Sequence, residues 1–265
     1  MRVGTMTKFV EQEIKENVAH VTLNRPEIHN AFNDQMVEEL TNIFSKLDEV
    51  ADIRAVILKA KGKSFCAGGD LNWMKSTLNY SYNENIEDAM KLANMFKVIN
   101  KCSKPVIGRI QGTAIGGGVG LVSVCDITVA LEGALFALSE VKIGLVPAVI
   151  SPFVMSKLIP GEARRYFLTS ERFSAQEAKR IGLISEVVSK EEMLDKKIDE
   201  WINAIKSGGP EAVSMCKKMV RDVANVNLDN TLKLMAENIA DRRVSKEGQE
   251  GMKAFLEKRK PTWCL

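Results

Sequence analysis

The sequence predicts an α/β core followed by a helical C-terminal region. Apolar runs of strand length recur up to about residue 130 and alternate with segments of helical periodicity. From Ser151 the pattern turns helical. Two glycine turns, Phe65-Cys66-Ala67-Gly68-Gly69-Asp70-Leu71 and Ile115-Gly116-Gly117-Gly118-Val119-Gly120, each stand between a strand pattern and a helix pattern. A chain of 265 residues is long enough for one large core or a core plus a small appendage.

Along the chain, Phe9 to Leu23 holds two alternating stretches split by Lys15-Glu16-Asn17, which predicts a β-hairpin. Pro26 ends the second strand, since proline cannot continue a ladder. Asn33 is a helix N-cap, followed by Met36, Leu40, Ile43, Phe44 and Leu47 at helical spacing. Ala55 to Lys59 is a buried strand, and Asp70 to Lys75 starts a short helix. Ser76 to Asn85, polar and rich in asparagine, predicts a mobile loop. Ile86 to Asn100 is an amphipathic helix, Pro105 to Ile110 a strand, and Gly117 to Cys125 a helix of small residues. Ile127 to Ala130 is a strand, Gly144 to Pro147 a turn, and Ile184 to Val188 a last strand. Ser174 caps a helix and Glu177 closes a capping box with it. Met193 to Ala204, Glu211 to Val223 and Asn230 to Leu256 complete the series as helices.

Composition removes several function classes. Apolar residues make up 45% and charged residues 27%, so the chain is of the soluble globular class. The formal net charge is +3, with 37 basic and 34 acidic residues, too balanced for a nucleic-acid binder. No apolar run reaches membrane-spanning length, and the N-terminus lacks a secretory or organellar leader, so no membrane association and a cytoplasmic location are expected. Five single cysteines without a Cys-x-x-Cys pair argue for a reducing compartment and against a structural metal. The only histidines are His20 and His29, which speaks against Ser-His-Asp, Cys-His and histidine–metal chemistry.

The glycine turns are the remaining chemistry. A phosphate loop needs Gly-Lys-Ser/Thr, yet Leu121 follows Gly120; the spacing of Gly116, Gly118 and Gly120 also misses the dinucleotide fingerprint. Each turn alone serves close helix–strand packing equally well. Together they aim two backbone N–H groups at one oxygen, as an oxyanion hole does. Glu140 lies one helix, one strand and one turn beyond Gly117, close enough to fold back on the hole. Its apolar flanks predict partial burial and a raised pKa, which suit a general acid–base. A carboxylate beside such a hole can move a proton at a carbon next to a thioester or similar carbonyl. Asp70 fits an N-cap, Cys66 and Cys125 fit small buried hydrophobes, Trp73 and Met74 line either a core or a substrate mouth, and Tyr80 lines a substrate mouth. Lys258, Arg259 and Lys260 either complement the last helix dipole or meet phosphate.

These residues resemble the crotonase family, the enoyl-CoA hydratase/isomerase superfamily. The resemblance runs nearly end to end, through Leu23-Asn-Arg-Pro26, Asn30-Ala31-Phe32-Asn33, Ser64 to Leu71, Ile110 to Gly118, Cys125-Asp126, Phe136 to Pro147, Phe173 to Ala178 and Gly182-Leu183. It implies a ββα spiral core over residues 1–200 and a helical association region over 201–265, assembling as a trimer or a dimer of trimers. It implies an acyl-CoA substrate, with coenzyme A entering as part of that substrate and no separate cofactor or metal. The hole's N–H groups then fall on Gly69 and Gly117, and Glu140 is the acid–base. Ala31 and the backbone of Ala67, Gly68, Asp70 and Leu71 line the coenzyme A channel, and Lys258 meets its phosphates, often in a neighbouring subunit.

One departure matters. Two-glutamate hydratases carry a further glutamate where this chain has Gly120. Single-glutamate relatives include Δ3,Δ2-enoyl-CoA isomerases and some hydratases. Ser123, on the same helix face as Gly120, is the candidate to hold water, with Tyr80 as another. Asp70 to Lys75 and Ser139 to Phe153 look like bacterial methylglutaconyl-CoA hydratases of leucine breakdown. That implies reversible hydration of 3-methylglutaconyl-CoA to 3-hydroxy-3-methylglutaryl-CoA, with Lys75, Lys142 or Arg164 meeting the distal carboxylate. A general short-chain enoyl-CoA hydratase or an isomerase is the alternative on the same site. A non-catalytic binding or scaffold member is the alternative of another class.

Overall fold

The computed structural model describes residues 4–223 and 228–264. Among them are eleven strands: β1 (Gly4–Met6), β2 (Val10–Lys15), β3 (Val18–Leu23), β4 (Ala55–Ala60), β5 (Ser64–Cys66), β6 (Val106–Ile110), β7 (Thr113–Ile115), β8 (Ile127–Leu131), β9 (Leu135–Ala137), β10 (Phe173–Ser174) and β11 (Glu186–Val188). The helices are α1 (Asp34–Glu49), α2 (Leu71–Thr77), α3 (Tyr82–Lys101), α4 (Gly117–Ser123), α5 (Ser151–Lys157), α6 (Pro160–Thr169), α7 (Ala175–Arg180), α8 (Glu191–Ser207), α9 (Pro210–Val223), α10 (Leu228–Val244) and α11 (Lys246–Leu256).

The strands form a large sheet ordered β1-β2-β3-β4-β6-β8-β11 and a small one ordered β10-β9-β7-β5. The logic is a spiral. The pairs β4–β5, β6–β7 and β8–β9 each give one strand to the large sheet and the next to the small sheet. Successive pairs then lie beside one another in parallel, β4 to β6 to β8 and β5 to β7 to β9. The hairpin β2–β3 lies between the edge strand β1 and β4 in the large sheet, and its turn residues Glu16 and Asn17 have φ of 46° and 64°. Two positive φ values match the turn to the right-handed twist of its strands.

Alternation sorts the large sheet's side chains onto two faces. Val18, Ala55, Ile57, Ile107 and Val129 pack against Leu194, Ile198 and Ile202 of α8. Ala19, Val56 and Leu58, one residue out of phase, join the main core with α1, α3 and α4. On α1, Met36, Val37, Leu40, Ile43, Phe44 and Leu47 are all buried, and Asn33 accepts the Met36 N–H as its cap. Burying such side chains stabilises the fold by about 1.5–3 kcal/mol each, an upper estimate.

Four expectations need correction. The segment Ser76 to Asn85 is mostly helical. Helix α2 runs to Thr77, and Ser81 starts α3 through a capping box in which Ser81 accepts the Glu84 N–H and Glu84 accepts the Ser81 N–H. Local capping therefore outweighed the polar composition. The Ser174 box is half formed: Ser174 accepts the Glu177 N–H, but the Glu177 carboxylate is taken by the Tyr166 hydroxyl at 2.7 Å and by Arg180. The long C-terminal helix breaks at Ser245, which caps α11 by accepting the Gly248 N–H. A boundary after residue 200 falls inside α8, whose apolar face stays on the large sheet through Ile202.

Candidate active site

Three neighbouring parallel strands of the small sheet end side by side. Register pairs Cys66 with Ala114 and Ala114 with Phe136. A few residues past these positions stand Gly69 after β5, Gly117 after β7 and Glu140 after β9. The spiral thus delivers both glycine turns and the carboxylate to the carboxyl ends of adjacent strands, where α/β folds place their ligands.

The two turns interlock through backbone. Gly68, at φ 88°, packs so closely that a Cβ there would stand 3.0 Å from the Ile115 carbonyl oxygen and 3.6 Å from Gly117 N. A Cβ on Gly118 would collide with the Cys66 carbonyl oxygen. No side chain can enter either place, which is why glycine holds both. Around Gly69 the neighbouring peptides are occupied: the Phe32 N–H donates to Gly68 O at 2.8 Å, and the Asp70 N–H donates to Phe32 O at 3.0 Å. Among the described residues, the N–H groups of Gly69 and Gly117 have no backbone acceptor. Gly117 opens α4, so its N–H belongs to the helix's free first turn. Both glycines are half-buried, while Gly68, Gly116, Gly118 and Gly120 are buried. Two unspent, half-buried donors are the groups an oxyanion needs.

Glu140 follows β9 and lies over the second turn. A Cβ on Gly116 would be 2.9 Å from Glu140 Oε1. Oε2 is buried with no hydrogen-bond partner among the described residues. Burial pushes the Glu140 carboxyl above the ordinary glutamate range, and its own backbone N–H only partly offsets this. A half-buried carboxylate with one free oxygen is equipped to take up and return a proton.

Asp70 is held as the α2 cap by the Asn72 N–H at 2.7 Å and by the Arg25 guanidinium at 2.8 Å. Burial works to raise its pKa, but the Asn72 N–H and Arg25 outweigh it, and the carboxyl lies below the ordinary aspartate range. Arg25 also donates to the Ala31 carbonyl at 2.7 Å and stacks over Phe9 with 4.4 Å to the ring centroid. Asn30, fully buried, accepts the Arg25 N–H and donates to the carbonyls of Lys61 and Ser64. Arg25 and Asn30 thus lock the β3 exit onto the first glycine turn. Sequence reasoning placed both in a motif without giving either a role, because their partners lie far along the chain.

A groove of about 550 Å³ opens beside this turn, lined by Ala31, Ala67, Gly69, Asp70, Leu71 and Lys75 among others. It gathers most of the residues expected to meet coenzyme A. Gly68, also expected there, is buried and is not among the groove's lining residues. Lys75 is on its wall, whereas Lys142 and Arg164 are exposed elsewhere. Lys258, at φ 54° just past α11, is exposed and is not among the groove's lining residues within one chain. Trp73 packs against the core and donates Nε1–H to Asp88 at 3.2 Å, and Tyr80 lines a neighbouring recess with Asn72 and Trp73.

The water-holding expectation for Ser123 does not fit. Its hydroxyl is buried and donates to the Gly120 carbonyl at 2.7 Å within α4, leaving nothing directed outward. Gly120 is walled in: a Cβ there would collide with Ile150 Cγ2 and lie 2.9 Å from Phe96 Cζ. Apolar atoms occupy the space beside the glycine. Among the described residues, no group of three or more His, Cys, Asp or Glu side chains is arranged to hold a metal, and no helix is long and apolar enough to cross a membrane.

An interlocked pair of glycine turns with two free donors and an overlying carboxylate is the layout of an enzyme that works on carbonyl-stabilised carbanions. Residues 13–264 match the enoyl-CoA hydratase/isomerase family model, and the chain belongs to that family. It is 32% identical to the short-chain-enoyl-CoA hydratase of Clostridium acetobutylicum, over 95% of this chain and 95% of the relative. It is 31% identical to the peroxisomal Δ(3,5)-Δ(2,4)-dienoyl-CoA isomerase of Arabidopsis thaliana, over 97% and 96%. A crystal structure of an enoyl-CoA hydratase from Shewanella pealeana superposes with a TM-score of 0.92 at 39% identity, over 96% of each chain. The crotonase fold and the C-terminal helical region expected from the sequence are therefore present.

Proposed function

We propose that the protein reversibly hydrates an α,β-unsaturated acyl-CoA, with 3-methylglutaconyl-CoA as the preferred substrate. The observation that carries this reading is the unpartnered Glu140 Oε2 over the turn that holds Gly117, together with the free N–H groups of Gly69 and Gly117.

In this reading the thioester oxygen accepts both N–H groups. Glu140 takes a proton from water as the water oxygen bonds to C3. The C2–C3 π pair moves toward the thioester, giving an enolate whose oxygen sits in the hole. The enolate then collapses, and C2 takes the proton from Glu140, which restores the carboxylate. The two donors bind the enolate oxygen far better than the ground-state carbonyl, and each is worth about 2.7–4 kcal/mol of barrier. One carboxylate serves both proton transfers, since Ile150 and Phe96 fill the place beside Gly120. The distal carboxylate of 3-methylglutaconyl-CoA calls for a cation, and Lys75 on the groove wall is the candidate.

The same groups can also move a proton from C2 to C4 without water, which is the isomerase reading; the Arabidopsis relative is named for chemistry of that kind. Association as a trimer or a dimer of trimers agrees with the exposed apolar side chains Val220, Val244, Phe255 and Leu256 on the last helices. A cytoplasmic location agrees with five free cysteines.

Assaying 3-methylglutaconyl-CoA, crotonyl-CoA and a 3-enoyl-CoA side by side tests the reading. The highest kcat/KM is expected on the first. A preference for the 3-enoyl-CoA would replace hydratase by isomerase, and no turnover on any acyl-CoA would leave the scaffold alternative. Glu140→Gln should lose about 10²–10⁴-fold in kcat, and near-normal activity would overturn the mechanism.

A further inference from the structure

We infer that Phe32 is a positioning residue that sets the two oxyanion donors relative to each other. The inference rests on Gly69 and Gly117 being those donors. Phe32 grips the first through its own peptide groups. Its N–H donates to Gly68 O at 2.8 Å and its carbonyl accepts the Asp70 N–H at 3.0 Å. The residues on both sides of Gly69 are thereby fixed, and the Gly69 N–H is left unspent. This is a lone parallel bridge outside either sheet, with no ladder to share the work.

Its ring reaches the second donor. A Cβ on Gly117 would collide with Phe32 Cζ, with Cε1 and Cε2 at 3.1 and 3.2 Å. The tip of the ring therefore abuts the glycine whose N–H opens α4. The ring is fully buried and cannot swing away, since Trp73 and Phe96 meet it edge-on at 6.2 and 6.5 Å between centroids. Phe96 in turn presses on the Gly120 position one turn along α4. One residue thus couples a backbone bridge at Gly69 to a side-chain stop at Gly117. Neither glycine has a side chain to fix its own place, so the separation of the donors depends on this strut.

Ring-tip contact makes a selective test possible. Phe32→Tyr adds an oxygen to Cζ, the atom that faces Gly117, while Phe32→Leu withdraws the tip. Both variants should lower kcat by about 10²-fold, with KM within about twofold of the wild type, as a small misplacement in a reacting geometry does. In the wild-type protein the hole should shift the Raman carbonyl band of a bound enoyl-CoA to low frequency, and in both variants the band should move back toward its free value. Phe44→Leu, an equally buried core substitution on α1, should lose thermal stability while keeping kcat and the carbonyl shift. Phe32 variants with kcat and band position like those of Phe44→Leu would overturn the inference. If Glu140→Gln is inactive in the same assays, the catalytic reading survives that failure; if the wild-type protein itself turns over no acyl-CoA, it is the catalytic reading that has failed.

Discussion

Glu140 lies against Gly116: a Cβ at residue 116 would stand 2.9 Å from Oε1, so the carboxylate occupies the space a side chain would need. Gly116 also has a φ of 52°, a conformation side chains rarely adopt. In the proposed mechanism, the residue that precedes one oxyanion donor is thus also the seat of the acid–base group.

Burial raises the Glu140 pKa, and this has two consequences of opposite sign. The reaction needs the ionised form, so kcat/KM should rise with pH through an apparent pKa above the ordinary glutamate value of about 4.3. Stability runs the other way. A carboxyl with a raised folded pKa favours the fold below its unfolded pKa, and that contribution is lost as pH rises through the folded value. Glu140→Gln should therefore have a higher Tm than the wild type at neutral pH. The difference should narrow on acidification toward the unfolded value. Calorimetry across that range checks it, and an equal or lower Tm at neutral pH contradicts it.

Arg25→Met should destabilise the protein by about 3 kcal/mol, near the low end for removing one partner of a buried pair, because the groove admits water to Asp70. The Asp70 carboxyl is depressed in the fold, so its contribution is present above the unfolded value of about 3.9 and is lost as pH falls through the folded value. Denaturant titrations should show the deficit at neutral pH and a smaller one in acid. A variant as stable as the wild type at neutral pH would remove the pair's structural role.

Gly120→Ala should cost about 1–3 kcal/mol through overpacking, because its Cβ meets Ile150 and Phe96. Ile150→Ala should relieve part of that strain, and a double-mutant cycle measures the coupling. Installing glutamate at residue 120 alone should not yield a two-carboxylate enzyme, since the space beside that position is filled. Additive effects of the two alanine substitutions would contradict this packing.

Much of the framework was legible because it is local. The hairpin, the Asn33 and Asp70 caps and the periodic face of α1 each depend on residues a few positions apart. Glycine turns followed by helices and a later glutamate with apolar flanks pointed to the site for the same reason. What escaped is set by distance in sequence or by competing partners. The Arg25–Asp70 pair and the Phe32–Gly117 contact join remote segments. Ser81 and Glu84 were hidden in a polar stretch, although their spacing is a capping signal. Glu177 had the spacing of a box, but Tyr166 and Arg180 took its carboxylate. Ser123 had the right helix face, yet its hydroxyl found the Gly120 carbonyl first.

The contact between Gly118 and the Cys66 carbonyl is made without any side-chain atom of Gly118. A joint of this kind is indifferent to the identity of most surrounding residues. Substitutions on the outside of α2, where Leu71 and Lys75 line the groove, can reshape the entrance without moving the two turns. The molecule thus separates a rigid anvil from an adjustable jaw. Substituting Leu71 and Lys75, with Trp73 kept in place against Phe32, should change substrate preference while the turns keep their spacing.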